Sequence, residues 1–195
     1  MSLRNELIGD SVLDAARDCL LRTEGRKVTL AEVARVAGVS RPTVYRRWTD
    51  MFEVTRALLT REVLEIIENV AGQGSLSRPT LDGLVDVIVE VVDAIRNNDL
   101  ITILFREQRD IMAPYAFDRF GTSQQGMLAL LSDAIAYGQE KSQVRPGDPK
   151  HLASMVLLIS QSGIQSRGLV DSTLGEQWKP ELRHAVAAYL RPVGR

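Results

Sequence analysis

The stretch from Thr29 to Trp48, TLAEVARVAGVSRPTVYRRW, restricts the fold more than any other part of the chain. Thr29 can accept a hydrogen bond from a backbone amide of the next turn while Glu32 reaches back to it, the reciprocal pairing of a capping box. Leu30, Val33, Ala34 and Ala37 then fall on one helical face. Gly38 stands where a tight turn needs a positive φ, a conformation that costs a residue with a Cβ about 1–2 kcal/mol. The helix therefore stops there. Val39 can pack inward, Ser40 can cap the next helix, and Pro42 is tolerated in its first turn because its missing N–H has no intrahelical partner. A second short helix, from Arg41 to Trp48, follows. Two helices at a tight turn form a helix-turn-helix, whose second helix can enter the major groove of DNA.

The surrounding chain is patterned for helices as well. Ile8, Val12, Ala15, Ala16, Cys19 and Leu20 recur at the spacing of one face, which predicts a first helix over about 6–22. Thr49 is the expected cap of a fourth helix that runs to about Val70, and AGQGSLSRPT over 71–80 reads as a linker. Further helices are predicted over 80–97, 101–105, 117–140, 149–167 and 180–190, with Asp148 and Pro149 as a strong start signal and Gly168 to Gly175 as a loop. The expected architecture is all-α with about nine helices. A helix-turn-helix DNA-binding domain over 1–50 is linked through helix 50–70 to a larger helical bundle over 71–195.

Charge distribution sharpens this reading. The net charge is −1, yet residues 1–60 carry ten Lys/Arg against eight Asp/Glu, while the remainder carries 14 against 17. Between Val33 and Thr49 there are four arginines and no acid. Basic charge concentrated on one short helix attracts phosphate even when the whole chain is slightly acidic. The apolar runs fall well short of the roughly 20 residues that cross a bilayer, so no membrane partner is expected. The single Cys19 and the absence of a leader pattern fit a cytoplasmic protein. An enzyme has little support. His151 and His184 lie in separate predicted helices, with no metal-spaced pair, phosphate-cradling loop or GxSxG. No catalytic residue, metal or cofactor is expected.

By position, Arg41 can reach a guanine bidentately, Thr43 and Tyr45 offer hydroxyls to phosphates or contact a thymine methyl, and Arg46 and Arg47 suit the DNA backbone. Lys27 and Thr29, at the entry to the motif, complete the DNA-facing set. Val44 and Trp48 are expected in the core. The residues Leu30-Ala31-Glu32-Val33-Ala34, Ala37-Gly38-Val39-Ser40 and Thr43-Val44-Tyr45-Arg46-Arg47-Trp48, followed by a helix leading to Leu58-Leu59, resemble the TetR (tetracycline-repressor-like) family of transcriptional regulators. The resemblance implies a cytoplasmic homodimer whose three-helix N-terminal domain binds a palindromic double-stranded DNA operator. It also implies a larger helical domain that takes a small, often apolar effector and dimerises through its last two long helices. Where many relatives place a lysine near the start of the fourth helix to grip phosphate, this chain has Met51, and the backbone amides of the helix N-terminus are left to serve instead.

The expected function is therefore that of a transcriptional regulator, a repressor released by a small apolar effector. Phe105, Met112, Tyr115, Phe120 and Met127, with Gln161 to fix orientation, are the candidate effector pocket. Ordinary core packing competes for each of them. Ser154, Met155, Ile159, Gly163, His184 and Ala188 are the candidate dimer face, against which intrachain packing competes. The alternative function is an apolar-ligand-binding protein or interaction module whose helix-turn-helix no longer binds DNA.

Overall fold

The computed structural model describes residues 3–73, 80–110, 113 and 122–192. Every regular element there is helical: α1 (Leu3–Arg22), α2 (Leu30–Val36), α3 (Arg41–Arg47), α4 (Met51–Gln73), α5 (Leu81–Arg96), α6 (Asp99–Glu107), α7 (Thr122–Glu140), α8 (Pro149–Gln165), α9 (Arg167–Leu174) and α10 (Trp178–Leu190), with a 3-10 turn at Gly175–Gln177. The fold is all-α, with no strand among the described residues. The expected start of α7 at 117 and most of the 71–80 linker lie outside the described residues.

The chain divides into two compact units, Met1–Glu62 with Asn98–Arg119, and Val63–Asn97 with Phe120–Arg195. In the first, α1 buries Val12, Ala15, Ala16, Cys19 and Leu20. It ends in a turn at Gly25, whose φ is +78° and where a Cβ would collide with Ile103 of α6. Gln108 donates its side-chain amide to the Gly25 carbonyl at 3.0 Å. Leu100, Ile101 and Leu104 of α6 are buried, so a segment distant in sequence completes this core. Asn98 begins α6 by accepting from the Ile101 amide at 3.0 Å. Its own amide donates to Glu62 at 3.1 Å, and Arg17 donates to the same carboxylate at 2.8 Å. Glu62 is buried without being unpaired, as a charge in that position must be.

The second unit is built on α5, which is apolar on most of its surface and packs with α8 and α10 around Val85, Val89, Leu152, Val156 and Val186. The polar edge of α5 is acidic at Asp82, Asp86, Glu90 and Asp93, residues one helical turn apart. Arg183 of α10 pairs with Asp86 and lies 3.8 Å from Asp82, while Lys179 reaches Glu90 at 2.9 Å and Asp93 at 3.1 Å. These pairs fix the register of two antiparallel helices.

One sequence expectation fails in this unit. The stretch expected as a loop from Gly168 to Gly175 is helical: its residues to Leu174 belong to α9 and Gly175 opens the 3-10 turn, although Gly168, Ser172 and Thr173 are weak helix formers and α9 has no buried residue. Arg96 supplies the missing stability. Its side chain is 3% exposed, stacks over Trp178 at 4.2 Å, donates to the Gly163 carbonyl at 2.6 Å and pairs with Asp171 of α9. Arg167 also pairs with Asp171 at 3.1 Å and donates to the Arg96 carbonyl. A long-range ion pair holds a segment whose own propensities are poor.

Candidate nucleic-acid interface and ligand cavity

The helix-turn-helix is built by caps and a glycine. Thr29 accepts from the Glu32 amide at 3.2 Å. The reciprocal half of the expected box is absent, because the Glu32 carboxylate pairs with Arg22 at 3.2 Å and ties α2 to the end of α1. Gly38 adopts φ +66°, and the Val39 amide returns to the Ala34 carbonyl at 3.0 Å. Ser40 caps α3 from its hydroxyl, which also bonds the Thr43 hydroxyl at 2.8 Å. Val44 is fully buried and Trp48 is 6% exposed, so α3 is held by one face.

The opposite face is open. Arg41, Tyr45 and Arg46 are exposed, Thr43 is half-buried beside its cap, and Lys27 and Thr29 are exposed at the start of the motif. Arg47 differs from its neighbours: its guanidinium lies 4.7 Å from the Trp48 ring and against Gly9 of α1, where a Cβ would overlap it. Its cation therefore also covers the core edge. The fourth helix is capped by Asp50 and not by Thr49. Asp50 accepts from the Glu53 amide at 2.9 Å, and Glu53 accepts from the Thr49 amide at 2.8 Å. Two amides that could have gripped phosphate in place of the lysine absent at Met51 are thus bonded to carboxylates.

The second unit contains a cavity of about 330 Å³ between α5, α7 and α8, with Ile67 of α4 on its wall. The α5 residues Leu84, Ile88, Val91 and Ile95 make it apolar, and its polar side chains are Asp133, Ser160 and Gln161. The apolar breadth of α5 is the sequence signal that points to it: Val85 and Val89 serve the core, Val91 and Ile95 line the space, and Leu84, Ile88 and Val92 do both. Of the pocket candidates, Met127 and Gln161 line it. Phe105 belongs to the first unit and does not, while Met112, Tyr115 and Phe120 lie outside the described residues.

The family model for "Bacterial regulatory proteins, tetR family" matches residues 12–58, from α1 into α4. An uncharacterised helix-turn-helix transcriptional regulator of Mycobacterium tuberculosis is 40% identical over 183 residues, 93% of this chain and 94% of that protein. The chain belongs to the TetR family. Solved TetR-family structures share its fold. A TetR-family transcriptional regulator from Pectobacterium atrosepticum is 17% identical with a TM-score of 0.74 and full coverage of both chains. The R. erythropolis transcriptional repressor QsdR is 14% identical with a TM-score of 0.70, over 97% of this chain and 98% of its own.

As a TetR-family member the protein is a DNA-binding transcriptional regulator. Among the described residues no helix is long and apolar enough to cross a membrane, and no three His, Cys, Asp or Glu side chains gather where they could hold a metal. Burial is the main reason the Cys19 thiol is pushed above its ordinary value, which leaves it protonated and inert at neutral pH. Of the candidate dimer residues, Met155, His184 and Ala188 are exposed and Ser154 is half-buried. Ile159 packs on the core of its own unit, and Gly163 faces Val92 of α5.

Proposed function

We propose that this TetR-family protein is a repressor that binds a palindromic operator as a homodimer and is released when a small apolar effector enters the cavity of the second unit. The outward strip of Arg41, Tyr45 and Arg46 on α3 carries the DNA part of the reading, since these side chains are exposed while Val44 and Trp48 anchor the helix behind them. Thr43, Arg47, Thr29 and Lys27 flank that strip and are assigned to phosphate. Repression is supported by likeness of fold to QsdR, a transcriptional repressor.

Effector control is supported by α4. Its residues up to Glu62 belong to the unit that carries α3, and those from Val63 to the unit that holds the cavity, where Ile67 forms part of the wall. A ligand that favours one position of this helix over another shifts the population that fits two half-sites. Dimerisation is assigned to the outer faces of α8 and α10. Met155 and Leu158 of α8 are 43% and 51% exposed, His184 and Ala188 of α10 are exposed as well, and an isologous pairing would cover them.

Selection of bound duplexes from a random pool tests the reading as a whole. The expected product is an inverted repeat with half-sites about one duplex turn or a small multiple apart, bound with an affinity that falls steeply as salt rises. Recovery of no enriched sequence would leave an apolar-ligand carrier as the better description. Leu158→Arg is expected to yield a monomer in sedimentation and to lose operator binding while remaining folded.

A further inference from the structure

The wall of the cavity is hydrocarbon except at Asp133, Ser160 and Gln161. Two of these are neighbours on α8, and Ser160 is bonded differently from the other serines of that helix. Ser154 donates its hydroxyl to the Lys150 carbonyl at 2.7 Å, and Ser162 donates to the Ile159 carbonyl at 2.8 Å. Both satisfy themselves against their own helix, as helical serines commonly do. Ser160 is 7% exposed and its hydroxyl has no partner. A buried polar group left in this state is costly, and a rotamer change about its Cα–Cβ bond brings the hydroxyl, closed to water as it stands, to whatever fills the adjoining space. Gln161 adds an amide, a donor and an acceptor in one group, to the same wall.

Charge narrows the choice of occupant. No lysine, arginine or histidine is among the described residues lining the space, and the one ionisable group, Asp133, is an acid at its exposed rim. A carboxylate brought in would lose its hydration with no cation to replace it and would meet a like charge at the entrance. A neutral head group meets neither obstacle. We infer that the cavity takes an uncharged apolar molecule bearing a single hydroxyl or carbonyl, held by Ser160 and Gln161, and rejects carboxylates of the same size. The inference rests on the reading of this cavity as the effector site and names the chemistry of its ligand. A cavity of about 330 Å³ falls at the small end of the range that takes compact ligands. An unbranched alcohol such as 1-decanol is a suitable probe.

Calorimetric titration of the full chain with 1-decanol and with decanoate at neutral pH tests the inference. Decanol is expected to bind at least tenfold more tightly. Ser160→Ala should weaken decanol about fivefold, leave decanoate unchanged and melt no lower than the parent, because the substitution removes an unpaired group. Asp133→Asn should raise decanoate affinity about threefold. Equal affinities for the two amphiphiles, binding of neither, or indifference of decanol to Ser160→Ala would overturn the inference. The same titration with selected operator duplex present separates it from the functional reading. Decanol binding with the expected selectivity while the duplex stays bound would sink effector control and leave the ligand chemistry standing. Release of the duplex by decanoate alone would do the reverse.

Discussion

Arg41 and Tyr45 stand clear of the protein on either side of Val44, which has no exposed surface, so neighbours in α3 divide between an open face and a buried one. Arg41→Ala and Tyr45→Ala should each weaken operator binding by about 1–3 kcal/mol with no change in thermal midpoint. Val44→Ala should do the opposite at first hand, lowering unfolding free energy by about 1–3 kcal/mol and affecting DNA only through the loss of fold. Equal effects of all three on the melting temperature would remove the distinction. This division was legible in the sequence, because a β-branched residue one helical turn from Trp48 belongs to the buried face and the arginines around it do not. The roles of Arg47 and Arg96 were not legible. A guanidinium on a helix surface and one that closes a core have the same local pattern, and only partners distant in sequence, Gly9 for the first and Trp178 and Asp171 for the second, tell them apart.

Elements in this protein are fixed by their ends and edges as much as by their apolar faces. Gly38 has open space around the position of a Cβ, so Gly38→Ala isolates the backbone term, and φ +66° should cost about 1–2 kcal/mol in denaturant unfolding without a clash to confuse it. The edge between α5 and α10 makes a pH prediction. The hydrogen bond that Lys179 donates to Glu90, joined by one to Asp93 and opposed by burial, raises its ammonium above the ordinary 10.5. A raised folded value means that the contribution to stability is complete below pH 10.5 and disappears as pH climbs through the folded value. The advantage of the parent over Lys179→Met, measured as a urea midpoint, should therefore be present at pH 9 and fade on the alkaline side of 10.5. Exposed pairs of this kind contribute little each, and their value is in register. Caps such as Ser40, Thr80, Asn98 and Asp148 are written in adjacent residues, whereas α9 is a helix because of Arg96, and no window of sequence around Gly168 contains that fact.

At the scale of the molecule the two compact units are interleaved along the chain, and the first of them takes α6 from beyond α5. Leu100, Ile101 and Leu104 are each 2% exposed or less, and burying a side chain of that size stabilises by about 1.5–3 kcal/mol. Three such losses are comparable with the ~5–15 kcal/mol that holds a domain folded. A fragment ending at Glu62 should accordingly lack a cooperative thermal transition by circular dichroism, although it contains the whole helix-turn-helix. The sequence pattern placed the motif and most helix starts correctly, yet it could not assign α6 to the first unit, because an apolar helix carries no label for the core it joins. The interleaving also bears on exchange of parts between relatives. A reading head grafted from one TetR-family protein onto another at a single joint would arrive without the α6 residues its interior was fitted to. Specificity in such a chain passes intact to a new host as two separate segments, the N-terminal helices together with α6, and a recombination event that moves only the first leaves a mismatched core behind an unchanged DNA-reading surface.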